Sequence, residues 1–339
     1  MISFKNLYKP LIIAEIGINH EGNFKCAKQL ILKAKIAGAD AVKFQVFRPD
    51  TLANKKIKIN RLQKKTLDPE EDLHKMWKRV SLTKAELAKL RIFSKKIKIY
   101  FICSVFDIES LKIVKELNVD AYKIASSDIT DQRLQDFISK EKKPIIISTG
   151  MASEKEIKGA IKNLKNKNIA ILHCVSLYPC NEKFANLNRI ISLSKKFNNC
   201  IGYSDHCIGT DASIIAMSIG AKIIEKHFTL NKNKVGLDHG LSADPKDLEI
   251  ICNFANKLDL YKGNGFIEPT KYEKEFKKFF RKGIYFKKNV KKNERLNDKN
   301  LIIRRPKNNI DPKFYKNIFD KITTRNFKMG DSVNLKFLK

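Results

Sequence analysis

The sequence predicts an α/β protein, a (β/α)8 barrel followed by a small β-rich module, and three observations carry that expectation. Short apolar runs rich in β-branched residues alternate with amphipathic stretches from residue 11 to about 262, the runs number eight, and the alternation stops near Pro269. Continuous apolar runs belong to strands covered on both faces, and single helices between them imply parallel pairing. Eight such units suit closure into a barrel better than a doubly wound open sheet, the rival architecture, and no G-x-G-x-x-G follows the first run.

The first strand is LIIAEIG at 11–17, followed by the helical CAKQLILKAKIAGA, and the second is AVKFQV at 41–46. Before the third, IYFICSVF at 99–106, comes KKIKINRLQKKTLDPEEDLHKMWKRV, which has no strand-like run. It reads as an inserted loop and short helix over the barrel mouth, carrying His74 and Trp77. AYKIAS at 121–126 and PIIISTG at 144–150 are the fourth and fifth strands; IAILHC at 169–174, IGYSDH at 201–206 and KIIEKHF at 222–228 complete the set. The helical patterns ESLKIVKELN, EKEIKGAIKNLKN and NLNRIISLSKKF fall between them. Residues 1–265 are thus assigned to the barrel and 266–281, with the lysine-rich helical KYEKEFKKFF, to a linker. Residues 282–339, with GIYFKKNV, LIIRRP and a K-x-G-D turn, form the small module.

Bulk composition excludes several classes. The 339 residues contain no apolar stretch near the roughly 18 to 20 that a membrane span needs, and charge at Lys5 speaks against a secretory signal, so a soluble cytoplasmic protein is expected. Seven cysteines without a C-x-x-C pair indicate neither a disulfide framework nor a zinc ribbon. A formal charge of +32 invites a nucleic-acid reading, but the excess is nearly all lysine spread along the whole chain. It reads instead as solvated helix faces whose field attracts small anions, with no nucleic acid or membrane as partner.

In a barrel of this kind chemistry sits at the carboxyl ends of the strands. Glu15 leads to Asn19 and His20 after the first; Lys43 and Gln45 lie on the second; Ser104 ends the third; Lys123, Ser126, Ser127 and Asp128 follow on the fourth. Ser148 and Thr149, then His173 with Ser176 and Tyr178, then Ser204 to His206, and finally His227 close the others. Neighbouring strands lie about 4.8 Å apart, so His206 and His227 can face one divalent ion, with Glu15 near once the eighth strand closes onto the first. The lack of thiolates argues against a closed zinc site, and Cys207 reads as a small packing residue rather than a third ligand. Either histidine alone would suit a hydrogen-bonded core position; the pair at adjacent ends points to a metal. Lys43 and Lys123 lie inside apolar runs, where a lysine needs an anion or a depressed pKa. With Ser104, Ser126, Ser148 and Ser204 around the mouth they suggest a bound phosphate or carboxylate, although a single serine is as well explained as a helix cap.

The strings AEIGINHEG, VKFQ, YKIASSD, PIIISTGM, LHCVSLYP, GYSDH and EKHFTL, in that order, resemble the sialic acid synthase family, with its legionaminate and pseudaminate relatives. LIIRRP and KITTRNFKMGD are similar to that family's antifreeze-like (SAF) domain, giving a TIM barrel plus SAF module. The resemblance implies condensation of phosphoenolpyruvate with the open-chain aldehyde of an N-acylated amino sugar, with release of phosphate, in the presence of Mn²⁺ or Mg²⁺. It implies metal ligands at His206 and His227, and phosphoenolpyruvate contacts at Lys43, Ser104, Lys123, Ser126, Ser148, Ser176 and Ser204. Glu15, Gln45, Tyr178 and Asp238 match sugar-orienting positions, and Glu15 and Asp128 join the histidines as catalytic positions. Arg305 matches an arginine that a domain-swapped homodimer sends toward the partner's N-acyl group. Asp128 stands where many relatives have glutamate, Ser176 where some have asparagine, Ser104 where some have threonine, and Leu237 departs from a G-P-D-H pattern. The acceptor expected from GYSDH and EKHFTL is N-acetylmannosamine, giving N-acetylneuraminate; the alternative is a diacetamido-trideoxyhexose leading to legionaminate or pseudaminate. A Schiff-base lysine aldolase and a non-enzymatic basic binding protein are the readings from other classes.

Overall fold

The computed structural model describes residues 2–52, 73–166, 168–308 and 310–339, so part of the inserted segment lies outside the described residues. Two compact units follow one another, Met1–Gly263 and Asn264–Lys339.

The first unit is a closed barrel of eight parallel strands: β1 (Leu11–Gly17), β2 (Ala41–Val46), β3 (Tyr100–Val105), β4 (Ala121–Ile124), β5 (Ile145–Ser148), β6 (Ile169–Cys174), β7 (Cys200–Asp205) and β8 (Ile223–His227). Each strand pairs with its successor and β8 pairs with β1. β1, β2 and β6 coincide with the apolar runs and β7 is displaced by one residue, whereas β3, β4, β5 and β8 are shorter than theirs; after β4 the chain passes into a 3-10 turn at Ser126–Asp128.

Helices α1 (Phe24–Ile36), α2 (Pro49–Leu52), α3 (Leu73–Val80), α4 (Lys84–Lys96), α5 (Ile108–Glu116), α6 (Gln132–Ser139), α7 (Glu154–Leu164), α8 (Asn188–Lys196), α9 (Asp211–Ser218) and α10 (Pro245–Lys262) accompany the strands. Their starts are chemically specified. Thr83 with Glu86, Asp107 with Ser110, and Ser153 with Glu156 each form reciprocal capping boxes that satisfy otherwise orphaned N–H groups.

Strand parity divides the core. On β1, Ile12, Ala14 and Ile16 face the helices, while Leu11 and Ile13 fill the barrel interior. The interior floor continues with Ala41, Ile102, Ala121, Ile146, Ala170 and Ile223, and is plugged by Ile2 and Phe4. Asn168 holds that plug, accepting from Phe4 N at 3.1 Å and donating to Ile2 O at 2.9 Å. Two residues above this apolar floor the same inward rows carry Glu15, Lys43, Ser104, Lys123, Ser148, Ser204 and Glu225. The alternation is invisible in hydropathy because the outward residues are buried too.

The second unit contains α11 (Lys271–Phe280) and an antiparallel pair, β9 (Gly283–Phe286) with β10 (Leu301–Arg304). Its core gathers Ile284, Phe286, Val290, Leu296, Leu301, Phe327 and Val333. Regular strand is scarcer than a β-rich module suggests: KITTRNFKMGDSV contributes isolated bridges such as Arg295 to Ile322 and Val290 to Phe327. The stretch read as a linker holds α11, and Lys307 N donating to Lys278 O ties that helix to the chain after β10.

Candidate active site

Every barrel residue singled out from the sequence as a catalytic, substrate or metal group lines one cavity of about 640 Å³ at the carboxyl ends of the strands. Ladder register explains the convergence. Glu15 is paired with Lys43 on one side and His227 on the other, Ser104 lies between Gln45 and Lys123, and Ser204 faces Glu225.

At the bottom of the cavity the two lysines meet carboxylates of the protein itself. Lys43 Nζ lies 2.8 Å from Glu15 Oε1 and donates to Ser104 Oγ at 3.0 Å, with Glu225 Oε1 at 3.6 Å. Lys123 Nζ donates to Glu225 Oε1 at 3.2 Å, and Ser204 Oγ to the same oxygen at 3.0 Å; Gln45 Nε2 donates to Glu15 Oε1 at 3.0 Å. The anion the sequence reading left for a guest is therefore partly supplied from within. Burial raises the Glu15 pKa, opposed by Lys43 and reinforced by Glu225. For Glu225 burial also pushes upward, but the ammonium groups of Lys123 and Lys43 outweigh it and hold that carboxyl low. Lys123 is shifted down, by burial first, whereas Lys43 is shifted up because its two carboxylates overcome burial.

In and around this cluster lie polar atoms lacking partners. Glu15 Oε2, Glu225 Oε2, Ser148 Oγ, Ser176 Oγ and His227 Nδ1 are buried without a hydrogen bond among the described residues. Buried polar atoms are nearly always paired, so orphans concentrated in one cavity mark where a polar guest fits. Gly150 is required here: a Cβ would come within 2.2 Å of Ser176 Oγ and 2.9 Å of Ser126 Oγ, and its N–H donates to Ser126 Oγ at 2.9 Å.

His206 and His227 stand with ring centroids 5.5 Å apart, and Tyr178 covers His206 at 4.1 Å. His206 Nδ1 lies 2.8 Å from the Val175 carbonyl, an acceptor, so that nitrogen carries a proton; burial lowers the pKa of the ring but Cys174 and that carbonyl outweigh it and shift it up, and Nε2 is the nitrogen left to meet a cation when the ring is neutral. His227 is pushed well below 6.5 by burial and then by His206, which leaves it a neutral imidazole, with Asp238 Oδ2 3.6 Å from its Nδ1. No ready-made group of three His, Cys, Asp or Glu ligands exists among the described residues. Two imidazoles with available nitrogens nevertheless fit an open site whose other ligands are oxygens of substrate or water. Asp128 and Asp238 both rise to about 6, by burial first. Asp131 adds to the rise at Asp128 and a Ser127 hydroxyl bond at 2.8 Å opposes it, while Glu15 adds to the rise at Asp238.

Other polar groups near the strand ends turn away. His173 faces outward, stacks on Tyr203 and bonds the Ala185 carbonyl at 2.7 Å. Asn19 donates to Phe228 O and Ser242 Oγ, His20 Nδ1 accepts from Gly22 N, and Thr149 donates to Leu172 O. These four are structural. Arg305 belongs to the second unit, with its guanidinium 5.5 Å from the centre of the Phe280 ring. Sequence reasoning missed Glu225, Cys174 and three members of the apolar upper wall, Ile18, Phe47 and Phe106; the other two, Trp77 over the barrel mouth and Leu237 in the departed G-P-D-H pattern, were singled out. Parity was the available signal for Glu225, which lies two residues before His227 on the same inward row.

A parallel (β/α)8 barrel with a charged, partly unsatisfied cavity at its carboxyl face defines an enzyme site for a small polar substrate. Residues 30–266 match the model of the NeuB family, and the chain belongs to that family. It is 38% identical to the N,N'-diacetyllegionaminic acid synthase of Campylobacter jejuni, over 96% of this chain and 99% of that one. It is 33% identical to the pseudaminic acid synthase of the same organism, over 98% and 97%. Among solved structures, the N-acetylneuraminic acid synthetase of Leptospira borgpetersenii in complex with citrate matches with a TM-score of 0.70 and 33% identity, covering 80% of this chain and 91% of that one.

Proposed function

We propose that the protein condenses phosphoenolpyruvate with the open-chain aldehyde of a diacetamido-trideoxyhexose, forming a legionaminate-type nine-carbon acid and inorganic phosphate. The observation that carries the reaction type is the buried Lys43, Lys123, Glu15 and Glu225 cluster in one cavity with the unpaired hydroxyls of Ser148 and Ser176. An ammonium has three donors; Lys123 spends one on Glu225, and the rest are available to a phosphate or carboxylate that also meets Ser148 and Ser176. Donors fixed before the substrate arrives oppose its charge without reorganising, and that is how such a cavity lowers a barrier. A divalent ion, Mn²⁺ or Mg²⁺, held by His206 and His227 would supply Lewis-acid polarisation of the acceptor aldehyde. Asp128, with its carboxyl near 6, is suited to take a proton from the water that attacks the former enol carbon before the carbon–oxygen bond to phosphate breaks. Glu15, Gln45 and Asp238 orient the acceptor, whose carbonyl carbon bonds to the terminal methylene carbon of phosphoenolpyruvate, next to the phosphate-bearing carbon that water attacks.

The acceptor differs from the N-acetylmannosamine expected from the short motifs. The diacetyllegionaminic relative spans nearly the whole chain, and the upper wall of Phe47, Trp77, Phe106 and Leu237 suits a deoxygenated carbon and a second acyl methyl better than hydroxyls. The homodimer with an exchanged SAF module and Arg305 at the partner's acyl group remains part of this proposal, supported by resemblance. Phosphate release from phosphoenolpyruvate, measured with the diacetamido sugar, its pseudaminate-series isomer and N-acetylmannosamine, tests the assignment. Highest kcat/KM with N-acetylmannosamine would return the acceptor to the sialate series, and no release with any of them would sink the reaction.

A further inference from the structure

The two histidines of the cavity share a feature that the chemistry leaves unused: each directly follows a charged residue, Asp205 before His206 and Lys226 before His227. Along a strand, neighbours point to opposite faces, so the residues beside inward groups are thrown outward, into the layer under the helices. There Asp205 and Lys226 meet. Their Cα atoms are ladder partners, Lys226 Nζ lies 3.1 Å from Asp205 Oδ2, and both side chains are fully buried.

The pair is saturated with bonds to the chain around His206. Asp205 Oδ1 accepts from Cys207 N at 2.8 Å, Asp205 Oδ2 accepts from Ser213 Oγ on α9 at 2.7 Å, and Lys226 also donates to the Cys207 carbonyl. Residues on both sides of His206 are thus fastened to a lysine adjoining His227. The location matters because Asp205 to Lys226 is the last paired position of the β7–β8 ladder. His206 lies one residue beyond it, outside the β7–β8 ladder, with its carbonyl accepting from Cys180 N at 2.9 Å and the Asp205–Lys226 pair as its tie to β8. Two ions withdrawn from water add little net stability over an apolar pair, and setting register is the best-attested use of such a pair. A one-residue slip of β7 on β8 would turn the histidine row away from the cavity.

We propose that the buried Asp205–Lys226 pair is a positioning device that holds His206 and His227 at the mutual spacing a divalent cation requires. This rests on the two histidines binding a metal. The experiment uses the full chain and Mn²⁺ alone, with affinity read by electron paramagnetic resonance of free Mn²⁺ and folding by circular dichroism and thermal melting. Asp205→Leu/Lys226→Met replaces the ions with apolar groups and is expected to stay folded while its Mn²⁺ Kd rises about 10- to 100-fold, the usual consequence of losing groups that orient a ligand. Ser213→Ala, which removes one bond from Asp205, is expected to fold and to weaken binding by a smaller factor. A folded double variant with wild-type Kd would overturn the proposal, as would an unchanged Kd in Ser213→Ala should the double variant not fold. His206→Ala separates the two premises: an unaltered Kd there removes the metal site itself, whereas a large loss there beside an unaffected double variant removes only the positioning role.

Discussion

Replacing Glu225 with glutamine removes one negative charge from a cluster of two ammonium and two carboxyl groups while keeping its shape. Glu225 Oε1 lies 3.2 Å from Lys123 Nζ and 3.6 Å from Lys43 Nζ. At an effective dielectric constant near 20, each contact is worth roughly 5 kcal/mol before desolvation. Removing one partner of a buried pair typically costs about 3–5 kcal/mol, because the remaining charge stays in a poor solvent. Two features favour the lower end. The groups border a cavity that water can enter, and Glu15, no longer repelled by Glu225, ionises more readily and takes over part of the neutralisation at Lys43. A loss of about 3 kcal/mol corresponds to a Tm decrease of roughly 6–12 °C for a barrel of this size. Lys123 loses the carboxylate that holds its proton against burial, so its pKa falls further. Glu225→Gln is therefore expected to melt earlier and to show an increased KM for phosphoenolpyruvate that worsens as pH rises, measured by calorimetry and by phosphate release. A Tm within about 1 °C of wild type together with an unchanged, pH-independent KM would refute the account of the cluster.

Three further outcomes follow from the same geometry. His227→Ala is expected to lose turnover by at least about 100-fold with little change in Tm, and EDTA followed by Mn²⁺ should abolish and restore wild-type phosphate release; activity persisting through exhaustive chelation would remove the metal. His20 is held neutral, its pKa pushed by burial from 6.5 to about 4, so the unfolded chain takes up a proton that the folded one refuses. Its contribution is fully present above pH 6.5 and is lost as pH falls toward 4, about 3 kcal/mol in all, and His20→Asn should flatten that part of the stability profile in denaturant titrations; an identical slope would contradict it. Arg305→Ala is expected to reduce kcat/KM for acylated acceptors more than for deacylated ones in the phosphate assay, and equal losses would dissociate Arg305 from the acyl group.

The barrel and much of the candidate site are legible in the order of residues alone. Its eight apolar runs, each followed by a helix, leave a parallel closed sheet as the arrangement that buries both strand faces, and strand ends in such a sheet converge whatever the loops do. Lys43 and Lys123 were legible because a charge inside an apolar run has no solvated explanation, and His206 with His227 because they end consecutive strands. Which face each residue takes emerges from the folded barrel. Hydropathy is blind to that choice when both faces are buried, so His173 resembled a site residue and Glu225 passed unremarked until the register assigned the first to the helix layer and the second to the cavity. Partnership was equally hidden: Lys43 meets Glu15 only because β1 pairs with β2, and Asp205 meets Lys226 only because β7 pairs with β8. Local sequence sets the period of a strand, but the partner and the inward face are fixed by contacts between segments far apart in the chain.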